Sequence, residues 1–271
     1  MSFPLPLQLL VGLVLGVLIA LLAWRAEALN RSGAAAAAVT GGLIFGLGGL
    51  QWAALLLAFF ISSSALSKAF ARRKAGLSEK FAKGAQRDWG QVLANGGLGT
   101  LLALALVAFP AQSWPWIAFA GAMAAVNADT WATEVGVFSA SQPRLITTGK
   151  VVEAGTSGGV TALGYLAALC GAALIAVIAA AFTPGGDQLI QAAGITLAGL
   201  AGASFDSILG ATVQGIYYCP SCQKETERHP HHTCGSQTIH LRGWRWLNND
   251  WVNLFCSLMG ALAALGLSRL I

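Results

Sequence analysis

The sequence predicts an all-α protein, a polytopic membrane helix bundle of about eight spans with one small cytoplasmic Cys/His loop. Three observations predict it. Of 271 residues, 56% are hydrophobic and only 10% are charged, and the polar residues gather in a few stretches between long apolar runs. Soluble chains carry about 25% charged residues, so the shortfall excludes a solvated coat over most of the surface. The net charge of +5 requires no nucleic-acid partner, because basic loops on the cytoplasmic side of a membrane protein give the same excess. The expected partner at this level is the lipid bilayer.

A spanning helix needs about 20 mostly apolar residues. That length cuts the chain into 5–24, 33–50, 52–66, 91–110, 114–138, 156–182, 188–216 and 249–269. The run from Leu5 to Trp24 has no Lys or Arg before it, so it lacks the basic start of a cleavable signal peptide and reads as a retained span. The second and third segments are short and glycine-dense, and a shallow hairpin is the alternative to two full crossings. Residues 1–271 are expected to form a single integral membrane domain, with 217–248 inserted between the last two spans. Trp24, Trp52, Trp89, Trp114, Trp116, Trp244, Trp246 and Trp251 fall near span ends, as interface anchors do.

Eight alternating spans put the polar connections 25–32, 67–90, 139–155 and 217–248 on one side. Every basic residue of the chain except Arg269 lies on that side, which the positive-inside rule makes cytoplasmic, with both termini outside. The acids follow: all but Asp187 lie on the cytoplasmic side or in its spans. A carboxylate within a span costs about 2.5–3.5 kcal/mol to insert, so Asp129, Asp206 and Asp250, placed at similar depths in three spans, need a partner. Pairing with Lys or Arg is the structural answer. A divalent cation such as Mg²⁺, which takes hard oxygen ligands, is the functional one. Asp129 and Glu134 of NADTWATEVG stand about 140° apart on a straight helix, so one metal would take Asp129 and leave Asn127, Thr130 and Glu134 to orient substrate.

The following loop, LITTGKVVEAGTSGG, carries Lys150, Glu153 and the run Gly155, Thr156, Ser157, Gly158, Gly159 just before the sixth span. Glycines there let backbone amides approach a phosphate, and a helix N-terminus offers donors to an anion. Further on, YCPSCQKETERHPHHTCG places Cys219 and Cys222 as CxxC, with Cys234 and three histidines close behind. Three thiolates and one imidazole complete a closed tetrahedral zinc site, for which Cys219, Cys222, His232 and Cys234 are the expected set. A redox CxxC is the alternative, without the βαβ context that such a pair needs.

Asp129, Thr130 and Gly136, then Lys150, Glu153, Gly158 and Gly159, resemble the Asp-Thr, Gly, Lys-x-x-Glu-Gly and Gly-Gly pattern of phosphatidate cytidylyltransferases and CTP-dependent polyprenol kinases. A closer resemblance runs through nearly the whole chain. SGAAAAAVTGGLIFGLGG, QVLANGG, NADTWATEVG, ITTGKVVEAGTSGGVTALG, GASFDSILGATVQ and WLNNDWVN look like the transmembrane protein 19-like family, which includes a chloroplast phytyl-phosphate kinase.

That resemblance implies an isoprenyl-phosphate kinase at the cytoplasmic face of a bacterial inner membrane. It would transfer phosphate from a nucleoside triphosphate, CTP or similar, to an isoprenyl monophosphate lipid. By the same resemblance Asp129, Asp206 and Asp250 would hold Mg²⁺, with Lys150 and Arg87 on phosphate oxygens, and Asn95, Asn127, Asn249 and Asn253 orienting ligands. A lipid cytidylyltransferase and a transporter of an anionic substrate are the competing classes. The transporter would place its charges near mid-membrane, often between inverted repeats.

Overall fold

The computed structural model describes residues 4–74, 79–84, 86–183 and 187–269. Among the described residues the chain is a bundle of seven helices: α1 (Leu5–Arg25), α2 (Arg31–Lys74), α3 (Trp89–Ala108), α4 (Trp114–Gly136), α5 (Ala162–Ala181), α6 (Gln188–Thr212) and α7 (Asn249–Leu267). All but α4 are long and apolar enough to cross a membrane by length and composition. The expected outer loop at 184–187 lies, except for Asp187, outside the described residues.

The eight expected spans map onto these seven helices because α2 breaks at Gly49, where φ is 73° and ψ is −161°. Only glycine adopts that backbone without strain. The break folds α2 back on itself. A methyl group added at Gly41 would touch a Leu56 methyl at 3.9 Å, although a straight helix would hold these residues about 22 Å apart. The two limbs, 31–48 and 50–74, are therefore a hairpin. Its open end is tied to Arg87: the Asn30 amide donates to the Arg87 carbonyl at 3.1 Å, and Arg87 itself donates to Ser63 and Ser64.

Small residues bring the helices together. On α1 only Gly12, Gly16, Ala20 and Ala23 are buried, facing α2, and leucines such as Leu10 and Leu22 point outward. This inverts the pattern of a soluble amphipathic helix. Lipid tails are as apolar as leucine, so close backbone packing through small residues, rather than hydrophobic burial, joins helices in a bilayer. Helix α4 sits at the centre, touching α2, α3, α5, α6 and α7, and is buried without interruption from Ala118 to Ala128. Its encasement explains how a helix ending in Asn, Asp, Thr and Glu is accommodated.

Two expectations are corrected. The sixth span does not begin at 156: residues 155–161 are turns and extended chain, and Thr161 caps α5 by accepting from the Gly164 amide at 3.0 Å. Trp52 is no interface anchor. It is completely buried and stacks on Phe119 at 4.3 Å between ring centres, whereas Trp89, Trp244, Trp246 and Trp251 are exposed. The polar loops also carry short strands. Strands β1 (Arg144–Leu145) and β2 (Gly159–Val160) pair antiparallel, and β3 (Ile216–Cys219), β4 (Lys224–Thr226) and β5 (Ile239–Arg242) form a small antiparallel sheet in the order β4-β3-β5. Successive helices run in opposite directions, so the start of α3, the end of α4, the start of α5, the end of α6 and the start of α7 share one end of the bundle with the basic loops.

Candidate functional site

At that end lies a cavity of about 480 Å³. Its walls collect Asp129 and Thr130 from α4, Asp206 from α6, Asn249, Asp250 and Asn253 from α7, and Arg87 and Asn95 from the start of α3. Glu134 and the whole run Gly155, Thr156, Ser157, Gly158 and Gly159 complete the set that the sequence singled out.

Each position has a local cause. Asp88 caps α3 in a reciprocal box: its carboxylate accepts from the Gln91 amide at 3.0 Å, and the Gln91 side chain accepts from the Asp88 amide. That fixes Arg87 one residue before the cap. Asn248 caps α7, accepting from the amides of Asp250 and Trp251, and so aims Asn249 and Asp250 inward. The glycine-rich loop is held from beneath by α6. Gly158 has φ 83°, and a Cβ there would collide with Ala211, so only glycine lets this backbone lie on the helix. The Ile146 amide then donates to the Gly158 carbonyl at 3.0 Å.

Depth separates the three aspartates. At 1.5 Å per residue Asp129 and Asp206 lie about 10 Å and about 9 Å inside the ends of α4 and α6, whereas Asp250 stands in the first turn of α7. The similar depths expected for all three therefore hold for the first two. Asp129 and Asp206 both line the cavity, and among the described residues neither pairs with a lysine or arginine. Asp206 Oδ2 and Asp250 Oδ1 are buried with no hydrogen-bond partner. Bare carboxylate oxygens on the cavity wall fit the donor set of a hard divalent cation.

Three residues that the sequence singled out lie away from the cavity. Lys150 and Glu153 do not line the cavity. The turn at Gly149 (φ 68°) and the β1–β2 pairing leave Lys150 exposed on the outside, and Glu153 is 81% exposed and bonded to Lys80 at 2.8 Å. Asn127 is fully buried, donating to the Gly171 carbonyl at 2.7 Å and accepting from Ser62 at 3.1 Å, and it packs helices rather than facing the cavity.

In their place the structure supplies residues that spacing did not reveal. Lys83 donates to Asp250 at 2.5 Å and to Asp88 at 2.8 Å. Desolvation opposes its charge, but the two carboxylates outweigh that and hold its pKa above the ordinary lysine value. Glu227, just past β4, reaches in from the Cys/His loop. It accepts from Ser157 and Gln214 at 2.9 Å and from the Ala82 amide at 3.3 Å. Burial raises its pKa above the ordinary carboxylate value against those lowering bonds. Arg87 is desolvated, which lowers its pKa, while the Glu134 charge acts to raise it. Ser67 donates to Glu134 Oε1 at 2.8 Å.

Cys219, Cys222, His232 and Cys234 bring one ligand atom each within 4.8 Å of one another. The four groups fit a closed tetrahedral metal site of the Cys₃His kind. All five cysteines of the chain are free of disulfides. The loop that holds the cluster is tied to the cavity rim: Lys224 bonds Glu79, Thr226 donates to the Glu79 carbonyl at 2.8 Å, and the Glu227 amide donates to the Lys80 carbonyl at 2.8 Å.

Comparison with known proteins places this geometry in a family. The chain is similar to Protein PGR of Arabidopsis thaliana, with 34% identity covering 93% of each chain. It is also similar to an uncharacterized membrane protein of Methanocaldococcus jannaschii, at 34% identity over 76% of this chain and 83% of the relative. An uncharacterized membrane protein of Synechocystis is 30% identical over 82% of this chain and 78% of its own. No solved structure matches. Residues 14–261 match the family described as integral membrane protein DUF92, in keeping with the transmembrane protein 19-like blocks of the sequence, and the chain belongs to that family.

Proposed function

We propose that the protein is a membrane-embedded kinase that transfers the terminal phosphate of a nucleoside triphosphate, CTP or similar, to an isoprenyl monophosphate, giving the diphosphate. The observation that carries this reading is the meeting of Asp129 and Asp206 with Lys83, Arg87 and the glycine-rich loop in one cavity at the basic end of the bundle. Asp129 and Asp206, with Asp250 at the mouth, would hold Mg²⁺. When bound, the ion would supply positive charge against the phosphate oxygens.

The rest falls to the chain. Arg87 and Lys83 neutralise phosphate charge, and the amides of 155–159 present donors to it. Asn95, Asn249 and Asn253 fix the orientation of both substrates. A phosphate monoester is already anionic at neutral pH, so its oxygen attacks the γ-phosphorus without a general base. One P–O bond forms as the bond to the departing nucleoside diphosphate breaks, and no group on the protein is modified. Catalysis of this kind rests on positioning and electrostatics, which suits a site without a reactive nucleophile. Zinc in the Cys₃His cluster would be structural, because four protein ligands leave no open position for water. The basic loops at that end of the bundle support a site on the cytoplasmic side, in our reading that of a bacterial inner membrane.

Purified protein incubated with Mg²⁺, a C20 isoprenyl monophosphate and a panel of nucleoside triphosphates tests the reading. Isoprenyl diphosphate and a nucleoside diphosphate are the expected products. Pyrophosphate release with a cytidyl-linked lipid would instead identify a cytidylyltransferase.

A further inference from the structure

The bundle holds a second cavity, of about 240 Å³, enclosed by α1, both limbs of α2 and α3. It is apolar except at one end. Gly41 of α2 and Gly96 of α3 help keep it open, because a Cβ added at Gly41 would meet only Leu56, at 3.9 Å, and one at Gly96 nothing within 4 Å. The polar end is formed by Arg87, Gln91 and Asn95, and the same three residues also line the larger cavity. One short stretch of α3 is thus a common wall between a charged chamber and a hydrocarbon-lined one.

Arg87 faces both. Its terminal nitrogens donate to Ser63 and Ser64 at 2.9 Å, and its guanidinium carbon lies 5.7 Å from the ring centres of Phe59 and Phe60, which line the apolar chamber. Hydroxyls and aromatic faces stabilise a desolvated cation without neutralising it, and the Glu134 carboxylate also acts on its charge. We infer that the α1–α2–α3 cavity is the binding site for the hydrocarbon chain of a single-chain lipid phosphate, whose phosphate is held at Arg87, Gln91 and Asn95. The inference rests on the kinase reading for the identity of the substrate and deepens it by assigning the chain's position.

Two features favour this occupant over a bilayer phospholipid. The apolar cavity is smaller than the ~300–1,000 Å³ of ordinary ligand pockets, which suits one chain rather than two. A chain arriving from the bilayer also gains no hydrophobic free energy, since it leaves surroundings as apolar as those it enters. Affinity must come from the head group and selectivity from fit. Binding should then fail for the isoprenyl alcohol, and narrowing the cavity should exclude a long chain while the head-group contacts persist.

The test uses the full-length protein in phosphatidylcholine nanodiscs and a C20 isoprenyl monophosphate carrying a diazirine at the chain terminus. Photolysis should attach the probe to residues of the α1–α2–α3 cavity. Excess unlabelled C20 monophosphate should compete, and the C20 alcohol and phosphatidic acid should not. Gly41→Leu and Gly96→Leu fill the chamber from two sides. A methyl group at Gly41 meets only Leu56, at 3.9 Å, and one at Gly96 meets nothing within 4 Å, so both helices tolerate the change locally. Each should cut labelling at least about tenfold at unchanged helical circular dichroism. Labelling confined to outward residues such as Leu10 and Leu22, equal competition by phosphatidic acid, or full labelling in both variants would overturn the inference. Specific labelling without phosphate transfer would uphold it and sink the kinase reading alone.

Discussion

The Ser157 hydroxyl donates to Glu227 Oε1 at 2.9 Å, joining the glycine-rich loop before α5 to the Cys/His loop between α6 and α7. Two segments separated by the whole of α5 and α6 thereby form one rim around the cavity, with Gln214 donating to the same carboxylate oxygen.

This linkage makes the metal cluster responsible for more than its own loop. Elemental analysis should find about one zinc per chain after washing with a weak chelator. Cys219→Ala with Cys222→Ala should lose the metal, lower the unfolding temperature and weaken nucleotide binding together. A metal-free double variant with wild-type stability would remove the structural role of the cluster.

Lys83 bridges Asp88 and Asp250 from a half-buried position, between the regimes of exposed and fully buried ion pairs. Lys83→Met should cost about 1–2 kcal/mol by chemical denaturation, discounted for solvent screening. Adding Asp250→Asn should recover part of that stability by removing an orphaned charge, yet phosphate transfer should stay low in the double variant. Additive losses of stability would mean that the two residues are not coupled.

Glu227 has a pKa raised by burial, so the folded state holds its proton more tightly than the unfolded state does. The sign follows from linkage: its contribution to stability is largest below the ordinary carboxylate value of 4.5 and declines as pH rises through the raised value. The wild type should therefore lose stability relative to Glu227→Gln as pH increases from 4.5 toward neutrality, measured without added divalent cations. A constant difference across that range would contradict the assigned environment.

Much of this organisation is legible in the sequence because lipid imposes a simple rule of length and hydropathy. The hairpin of α2 is foreshadowed by GGLIFGLGGL, whose glycines permit the break at Gly49. The cavity is less legible, since helical spacing describes a single element and the site is assembled from five. Lys150 looked close to the glycines along the chain, but a turn at Gly149 carries it outward, and Lys83 arrives from a loop remote in sequence. Asn127 shares a motif with Asp129 but faces Ser62 and Gly171, a distinction that only packing decides. Trp52 shows the same limit: its place near a span end is correct, and its burial against Phe119 depends on α4.

The orientation of the bundle has its own test. Single cysteines at Ser141, on the basic side, and Ser113, on the opposite side, can be introduced into a background lacking reactive cysteines. In intact cells Ser113→Cys should react with an impermeant thiol reagent and Ser141→Cys should be protected until the membrane is opened. The reverse pattern would put the cavity on the outer face.

The most direct measurement of the central claim compares isoprenyl diphosphate formation by the wild type, Asp129→Asn and Asp206→Asn, each with Mg²⁺ and the nucleotide that the wild type prefers. Both substitutions remove a charge at nearly constant shape. The account predicts a wild-type rate that falls about 100- to 1,000-fold in each variant, with unfolding temperatures preserved or raised as the charge is removed. No diphosphate from the wild type with any common nucleoside triphosphate, or full activity in both variants, would contradict it.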